Sequence, residues 1–428
     1  MGQSARARRT QAAGAGAPLV RFSELADVNP RVRLDGLSPD TPVSFIPMSD
    51  VDEHGRWVGT QTRRLSEVRT GYTAFAEGDV LFAKITPCTE NGKGCHATGL
   101  TNGIGFGSTE FHVLRPKHGN DASFVFQLSV APTVRRRAAS MMGGSAGQQR
   151  VPADFFDVFR VPLLVTPEQR AVANLFGSID TAIERTRAVI EQVRVVKQAL
   201  VADLMTNGLP GRHKKFKTVK GLGRIPSDWT LESMHDLSVR VADGVHQSVK
   251  TTETGIPFLY VSCVRDGQIL WQQAARISQA VYHEIARGRK PCCGAILYTV
   301  VGSYGHAAVV TDETAFSFQR HVAYIEPDAK RIVPAFLCYW LNSAKCRRHA
   351  DRVALGNAQK TITLGELRQY PVPTPPIAEQ AEIVQCLNAV DRRMAAETCH
   401  RDQMLQLKSA LSDALLTGRI RVVKENRK

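Results

Sequence analysis

Residues 161–183, VPLLVTPEQRAVANLFGSIDTAI, recur further along the chain as residues 372–394, VPTPPIAEQAEIVQCLNAVDRRM. The offset of 211 positions places Glu168 on Glu379, and the match runs without a gap for more than forty positions. Chance similarity rarely keeps one register over such a length, so a fixed offset is the signature of an internal repeat. The sequence therefore predicts a chain of two similar halves.

Each copy of the repeated segment has the pattern of a long helix. Apolar residues recur at three- and four-residue steps, and Glu168 and Glu379 stand in the first turns, where a carboxylate favours the helix dipole. We expect helices over 166–207 and 377–417, each roughly 60 Å long at 1.5 Å per residue. The residues predicted to face the other helix or a partner protein are Ile179, Ile183, Val193, Val196, Leu200, Leu204, Val390, Met394, Met404, Leu407, Leu411 and Leu415.

A helix of this length needs something to pack against along its whole apolar stripe. Two similar stripes in one chain favour packing of the helices on each other, and the alternative is that each docks on its own module. Polar residues around Thr186 and between Glu397 and Arg401 interrupt the stripes, so a strict coiled coil is not secure.

A module of about 150 residues, the usual size of a domain, precedes each helix. Short apolar runs such as GDVLF at Gly78 and GAILY at Gly294, bounded by Gly, Pro and Asp, predict strands, and helical patterns follow them. The predicted fold class is thus mixed α/β, with mixed or antiparallel sheets. The predicted order is a disordered basic tail (1–17), a module (18–165), a helix (166–207), a basic linker (208–226), a second module (227–376), a second helix (377–417) and a basic tail (418–428).

The charge balance favours a polyanionic partner. The chain of 428 residues has 55 Lys plus Arg against 40 Asp plus Glu, a net charge of +15 and a pI near 9.6. A basic proteome would give the same balance. No run reaches the roughly 20 apolar residues that span a bilayer, so we expect a cytoplasmic protein that does not contact a membrane. The nine cysteines form no C-x-x-C pair, and no metal site is predicted.

The order of motifs resembles that of type I restriction-modification specificity subunits, over nearly the whole chain. The motifs are GGSAGQQRV from Gly143 with VPLLVTPEQ, ALGNAQKTI from Ala354 with VPTPPIAEQ, and IPSDW at the end of the linker. The first copy departs from the pattern because TPEQ at Thr166 lacks the Pro-Pro of the second copy.

The resemblance implies two target recognition domains, each reading one half of a split, asymmetric sequence in double-stranded DNA. It also implies that the long helices pair antiparallel with pseudo-two-fold symmetry, set the spacing between the half-sites and dock two modification methyltransferase subunits. Restriction and translocase subunits would join the larger complex. Adenine-N6 methylation and ATP-dependent cleavage, with S-adenosylmethionine, ATP and Mg, would belong to the partners.

Base edges are read by side chains that make paired hydrogen bonds, whereas phosphate contacts need charge and set position. Loop residues of these types are the predicted DNA-binding set: Lys84, Asn91, Lys93, Gln148, Gln149 and Arg150 in the first module, and Ser303, Tyr304, Gln319, Arg320, Gln359 and Lys360 in the second, with His306 beside them. Any one of them is also an ordinary solvated loop residue. The repeated Gln loops at 148–150 and 359–361 are either phosphate contacts or turns.

No catalytic residue is predicted for this chain. The single Pro-Pro, at Pro375, lacks the flanking residues of an amino-methyltransferase motif, and there is no P-loop. No set of carboxylates and a lysine stands out as a nuclease site. The alternatives are a self-contained nuclease or methyltransferase with unrecognised motifs, and a coiled-coil scaffold that does not bind DNA.

Overall fold

The computed structural model describes residues 17–53, 55–59, 61–145, 147–286, 291–311, 313–356 and 359–422. The chain forms two compact units: unit 1 is Met1–Arg187 with Cys399–Lys428, and unit 2 is Ala188–Thr398. Each unit therefore contains one module and parts of both long helices. The tail predicted at 1–17 lies outside the described residues except for Ala17, which is buried and donates its N–H to the Gly418 carbonyl.

Unit 1 contains short strands and helices followed by one long helix. The strands are β1 (Leu19–Arg21), β2 (Ala26–Val28), β3 (Pro42–Ile46), β4 (Gln61–Arg64), β5 (Thr73–Ala76), β6 (Val80–Ala83), β7 (Gly94–His96), β8 (Ile104–Gly107), β9 (Phe111–Pro116) and β10 (Arg160–Pro162). The helices are α1 (Phe22–Leu25), α2 (Leu65–Val68), α3 (Ala122–Val130), α4 (Pro132–Ser140), α5 (Phe155–Val158) and α6 (Thr166–Asn207), which continues into unit 2.

Unit 2 has the corresponding elements and a hairpin before them. The strands are β11 (Phe216–Val219), β12 (Gly223–Pro226), β13 (Thr230–Ser233), β14 (Ser238–Asp243), β15 (Thr251–Thr252), β16 (Ile256–Leu259), β17 (Val264–Arg265), β18 (Gln268–Ile269), β19 (Ala275–Ile277), β20 (Ile296–Thr299), β21 (Ala307–Val309), β22 (Ser317–Phe318), β23 (Val322–Pro327) and β24 (Pro371–Thr374). The helices are α7 (Gln279–Ile285), α8 (Pro334–Asn342), α9 (Ala344–Val353), α10 (Leu364–Arg368) and α11 (Ile377–Leu415), which continues into unit 1.

The two modules share the topology of one sheet and of three strands of a second. An antiparallel sheet has the order β2-β9-β6-β7 in unit 1 and β14-β23-β20-β21 in unit 2. A second, mixed sheet has the order β4-β3-β8-β5 in unit 1 and β15-β19-β16-β22 in unit 2, and each contains one parallel pair, β3 with β8 and β16 with β22. The fourth strand differs, since β5 pairs with β8 in unit 1 whereas β15 pairs with β19, at the other edge, in unit 2. The mixed α/β fold class is confirmed.

A central strand in each module is buried on both faces, which explains its unbroken apolar run. In β6, Val80 and Phe82 pack into one hydrophobic cluster and Leu81 into another. In β20, Ile296 and Leu297 divide in the same way. Successive side chains of a strand point to opposite faces, so a strand between two cores has no solvent face and needs no polar alternation.

The long helices pair antiparallel, as two equivalent ion pairs show. In unit 1, Lys408 Nζ donates to Asp180 Oδ1 at 2.5 Å, and in unit 2 the Lys197 ammonium lies 2.5 Å from Asp391 Oδ1. The offset of 211 residues converts one pair into the other with the roles of α6 and α11 exchanged. The predicted antiparallel pairing is therefore confirmed.

The predicted apolar stripe is wrong, as a helix–helix contact, at one pair of equivalent residues. Val196 and Leu407, which are equivalent under the offset, are 57% and 52% exposed. The next residue in each helix, Lys197 or Lys408, points inward instead and forms the ion pair, which turns the preceding apolar residue outward. The remaining predicted residues are buried or half-buried: Ile179, Ile183, Val193, Leu200, Leu204, Val390, Met394, Met404, Leu411 and Leu415.

The Gln of each Glu-Gln pair joins the start of a long helix to the preceding module. Gln169 Oε1 accepts the Asp121 N–H at 2.8 Å, and its Nε2 donates to the Leu164 carbonyl at 2.9 Å. Gln380 Oε1 accepts the Val333 N–H at 2.7 Å, and its Nε2 donates to the Pro375 carbonyl at 2.8 Å. Both glutamines are buried. The duplicated Gln thus satisfies main-chain groups at equivalent places.

The Glu of each pair binds the chain that leaves the other long helix. Glu168 accepts two hydrogen bonds from Arg421, at 2.9 and 2.6 Å, just after the end of α11. Glu379 accepts from His213 Nε2 at 2.7 Å and from Trp229 Nε1 at 3.3 Å, just after the end of α6. The two carboxylates therefore fix both ends of the helix pair.

The basic linker predicted at 208–226 is folded and belongs to unit 2. Strands β11 and β12 form an antiparallel hairpin in it, Leu222 packs into the core of the unit, and Ile225 is buried. The basic tail predicted at 418–428 is likewise attached through Arg421 and, by partial burial, Val422. Residues 423–428 lie outside the described residues.

Candidate nucleic-acid interface

In unit 1, three loops meet at one edge of the antiparallel sheet, and we call them loop cluster 1: residues 84–93, 108–110, and 143–145 with 147–151. Main-chain hydrogen bonds hold them together. Lys84 donates its N–H to the Glu110 carbonyl at 2.9 Å, Thr86 donates to Gln149 at 3.0 Å, and Val151 donates to Lys84 at 2.8 Å.

The same frame recurs in unit 2 as loop cluster 2: residues 300–306, 319–321, and 354–356 with 359–362. Val300 donates its N–H to the His321 carbonyl at 2.9 Å, Gly302 donates to Lys360 at 2.9 Å, and Ile362 donates to Val300 at 2.8 Å. The three bonds match those of loop cluster 1 one for one. The main chain is therefore duplicated, while the side chains it carries differ.

The Gln loops are turns in both units. They are also hydrogen-bonded to the loops that follow β6 and β20, which we call the strand loops (residues 84–93 and 300–306). Bridges between Gly143 and Arg150 and between Leu355 and Thr361 close the turns. Gly144 allows the first turn, since its φ is 127° and a Cβ there would lie 2.9 Å from the Gln148 carbonyl oxygen.

Side chains of loop cluster 1 are partly occupied by internal contacts. Arg150 makes a bidentate contact to Glu110, with Nη2 to Oε1 at 2.7 Å and Nε to Oε2 at 2.9 Å. This hydrogen bonding lowers the pKa of Glu110 and raises that of Arg150, so both stay charged and balance each other. Lys84 is half-buried and Gln148 is exposed.

Two predicted residues of the first strand loop turn away from the rest. Asn91 Nδ2 donates to Glu53 Oε1 at 3.2 Å, and Lys93 Nζ donates to the Met48 carbonyl at 3.4 Å. Both side chains therefore contact the segment 48–53 rather than the Gln loop. Sequence spacing gives no sign of this, because the contacts join residues that are about 40 positions apart.

Loop cluster 2 is braced from two sides. Arg265 Nη2 donates to Ser303 Oγ at 2.9 Å. Tyr304 donates its hydroxyl to Asp351 Oδ1 at 2.8 Å, a hydrogen bond that raises the pKa of the phenol. Arg347 Nη2 donates to the Gly305 carbonyl at 3.1 Å. Sequence reasoning did not identify Arg265 or Asp351, since neither lies in a repeated motif.

The other predicted residues of loop cluster 2 are available at its surface. Arg320, Gln359 and Lys360 are exposed, and Gln319 is half-buried. Beside them, His306 lies 3.8 Å from Asp266, and burial lowers the pKa of its imidazole. Among the described residues, no carboxylate lies within ion-pair distance of Arg320 or Lys360, in contrast to Arg150 of loop cluster 1.

One arginine of the run at 135–137 is internal rather than solvated. Arg135 is 4% exposed, its Nε donates to the Ser129 carbonyl at 2.7 Å, and its guanidinium lies over the Phe82 ring at 3.7 Å. Burial lowers its pKa to about 9. Its Nη1 approaches the Ala83 carbonyl at 3.5 Å, so it supports the strand loop from behind.

Two other kinds of feature are absent from the described part of the chain. Within those residues, no group of three or more His, Cys, Asp or Glu side chains could hold a metal ion. No helix there has the length and apolar character needed to cross a membrane.

Each unit thus carries the same loop frame beside an antiparallel pair of helix segments. Residues 288–406 match the family model described as type I restriction modification DNA specificity domain. The match covers a little over a quarter of the chain, in its second half.

Individual relatives are described in similar terms. The chain is 35% identical over 164 residues to the type I restriction enzyme EcoEI specificity subunit of Escherichia coli, over 37% of this chain and 27% of that relative. It is 30% identical over 237 residues to the EcoBI specificity subunit of Escherichia coli, over 53% of this chain and 50% of that relative. The chain thus spans about a quarter to a half of these curated relatives.

The fold also has a solved counterpart. A chain from a structure described as the structural basis underlying complex assembly and conformational transition of the type I R-M system superposes with a TM-score of 0.57 at 18% identity. The match covers 95% of this chain and 98% of that chain. At this identity the similarity concerns the fold alone.

Proposed function

We propose that this chain is the DNA sequence-recognition subunit of a type I restriction-modification complex. Its modules, 18–165 and 227–376, act as target recognition domains that read the two halves of a bipartite, asymmetric target. The long helices set the spacer and dock two modification methyltransferase subunits, and restriction and translocase subunits complete the larger assembly. The chain itself performs no chemistry, and its partner subunits bind S-adenosylmethionine, ATP and Mg.

The duplicated loop frame is the observation that carries the proposal. Loop clusters 1 and 2 share three main-chain hydrogen bonds but present different side chains at their surfaces. A fixed frame with variable side chains is what reading two different half-sites requires, because base contacts carry sequence information and the scaffold positions them. A scaffold without DNA contacts has no need for the duplicated loops.

Exposed apolar side chains on the helices support the docking role. Val196 and Leu407 occupy equivalent positions, and each is more than half exposed. Val195, 56% exposed, extends the first of these surfaces. Apolar residues exposed at equivalent positions of a repeat fit two copies of one partner.

An exchange of the first strand loop tests the recognition role more sharply than an exchange of the whole module. Residues 84–93 are replaced by the loop of a relative, and the target is read by methylome sequencing of cells that carry the complete system. We expect one half-site to change, with the other half-site and the spacer length unchanged. The matched control is Arg69→Gln, which removes an exposed cation next to the other sheet of the same module and should leave the target unchanged.

Three results would contradict the proposal. Changes in both half-sites after the loop exchange would refute the two-module reading. Methyl transfer from labelled S-adenosylmethionine to DNA by the purified chain alone would show an enzyme. A complex with its partner subunits that leaves DNA unprotected in footprinting would show a scaffold.

A further inference from the structure

A row of cations crosses the linker hairpin and helix α9 of unit 2. We call it the basic strip: Lys220, Arg224, Lys345, Arg348 and Arg352. Lys345, Arg348 and Arg352 have the spacing i, i+3, i+7 and share one face of α9. Two contacts join this face to the hairpin: Lys345 Nζ donates to the Arg224 carbonyl at 2.8 Å, and Arg352 Nη2 donates to the Gly221 carbonyl at 3.0 Å.

The charges of the basic strip are not balanced by carboxylates. Among the described residues, no Asp or Glu lies within ion-pair distance of any of the five, whereas Arg212 and Arg331 elsewhere in the unit pair with Glu382 and Glu232. Four of the five are exposed, and Lys345 is half-buried. Burial and the charge of Arg348 lower the pKa of Lys345 to about 8. Concentrated like charge without counter-charges is unfavourable unless a partner supplies anions.

The basic strip adjoins loop cluster 2 through the same helix. A neighbouring side of α9, about 110° around the helix axis at 3.6 residues per turn, supplies Arg347, which donates to the Gly305 carbonyl, and Asp351, which accepts from Tyr304. A duplex that lies on loop cluster 2 therefore has the strip beside it. Along α9 the three cations extend over about 10 Å, at 1.5 Å per residue.

We propose that the basic strip binds the sugar-phosphate backbone of the duplex next to the half-site that loop cluster 2 reads. The inference rests on the proposed function and adds to it a second, sequence-independent contact from the linker. No large apolar side chain is exposed on β11, β12 or α9 among the described residues, although the buried core of a protein interface is apolar. The surface therefore fits phosphate better than an acidic protein.

The test is a triple variant, Lys220→Gln, Arg224→Gln and Arg348→Gln, in the full chain assembled with its partner subunits. Binding to target and non-target duplexes is measured over a range of salt concentrations. Each lost phosphate contact removes about 0.9 from the slope of log Kobs against log salt, so the slope should fall by about 2.7. Affinity at 0.15 M salt should fall roughly 100-fold on both duplexes, and the preference for the target should not change.

A matched variant, Arg240→Gln, Lys250→Gln and Lys330→Gln, removes the same charge from other exposed positions of unit 2. Circular dichroism and thermal melting of both variants establish that each is folded. An equal loss of DNA affinity in the control would overturn the proposal, because the change in net charge alone would then explain the loss. A loss confined to the target duplex would show base reading instead.

Two further outcomes separate the proposals. Normal DNA binding with loss of co-purifying partner subunits would assign the basic strip to a protein contact and overturn the inference. If the unmodified complex does not prefer any duplex, the proposed function fails, and this result is independent of the variants.

Discussion

Removal of the Gln380 side chain tests the role assigned to the duplicated Glu-Gln pair. The amide is buried at the start of α11 and joins three main-chain groups of unit 2: it accepts from the Val333 N–H and donates to the carbonyls of Pro375 and Arg331, the last at 3.2 Å. Gln380→Ala leaves these three main-chain groups without their hydrogen-bond partner and opens a space at the N-terminal end of α8.

The expected cost follows from those contacts. Each net hydrogen bond contributes about 1 kcal/mol, and a donor left unsatisfied in the interior costs about 1–3 kcal/mol. Gln380→Ala should therefore lower the free energy of unfolding of unit 2 by about 3 kcal/mol. Gln169→Ala should have a similar effect in unit 1, because Gln169 also has three polar contacts: the Asp121 N–H, the Leu164 carbonyl and Asn120 Oδ1.

Urea unfolding combined with hydrogen exchange by mass spectrometry measures these effects in each unit separately. The exchange of peptides around α8 should rise in the first variant and that of peptides around α3 in the second. Gln385→Ala, at an exposed position of α11, is the control and should cost less than 0.5 kcal/mol. A cost for Gln380→Ala as small as that of the control would refute the reasoning.

Three other predictions concern ion pairs and burial in unit 2. Lys197→Glu and Asp391→Lys should each destabilise the unit, and the double variant should recover about 1 kcal/mol of unfolding free energy by restoring the ion pair. A double-mutant cycle in urea measures this recovery, and its absence would show that the two residues are not in contact. Glu379→Ala should cost about 2–3 kcal/mol because His213 loses its buried acceptor, and an unchanged melting temperature would contradict this. Anionic phosphate favours the charged form of Lys345, so DNA binding should take up a proton and weaken as the pH rises from 7 through 9. Lys345→Gln should remove this pH dependence of DNA affinity. A pH dependence that persists in the variant would assign the titration to another group.

The sequence predicted the repeat, the long helices and the mixed α/β class because these depend on local periodicity and on register. It failed at Val196 and Leu407, because the next residue in each helix, a lysine, takes the inward position to meet an aspartate from the other helix. Only the partner helix decides which residue turns inward. The apolar periodicity of one helix alone cannot predict which of its residues turns inward.

The candidate site was predicted in outline. The loops after β6 and β20 and the Gln loops were named from their residue types, and they do lie together in each unit. The sequence could not show that Asn91 and Lys93 contact segment 48–53, or that Arg135 is internal, since these contacts join residues distant along the chain. Polar residue type indicates the ability to bind DNA, but burial decides which side chains are free to do so.

The division of the long helices between the units has a consequence for synthesis of the protein. Unit 2 is one continuous segment, Ala188–Thr398, whereas unit 1 needs residues from both ends of the chain, including Leu415 and Leu416 in its core. On the ribosome, where chains emerge from the N-terminus, the module made first must wait until the segment after Thr398 has emerged before its core closes. The later module can finish folding earlier, and the first one is the part that a chaperone would have to shield.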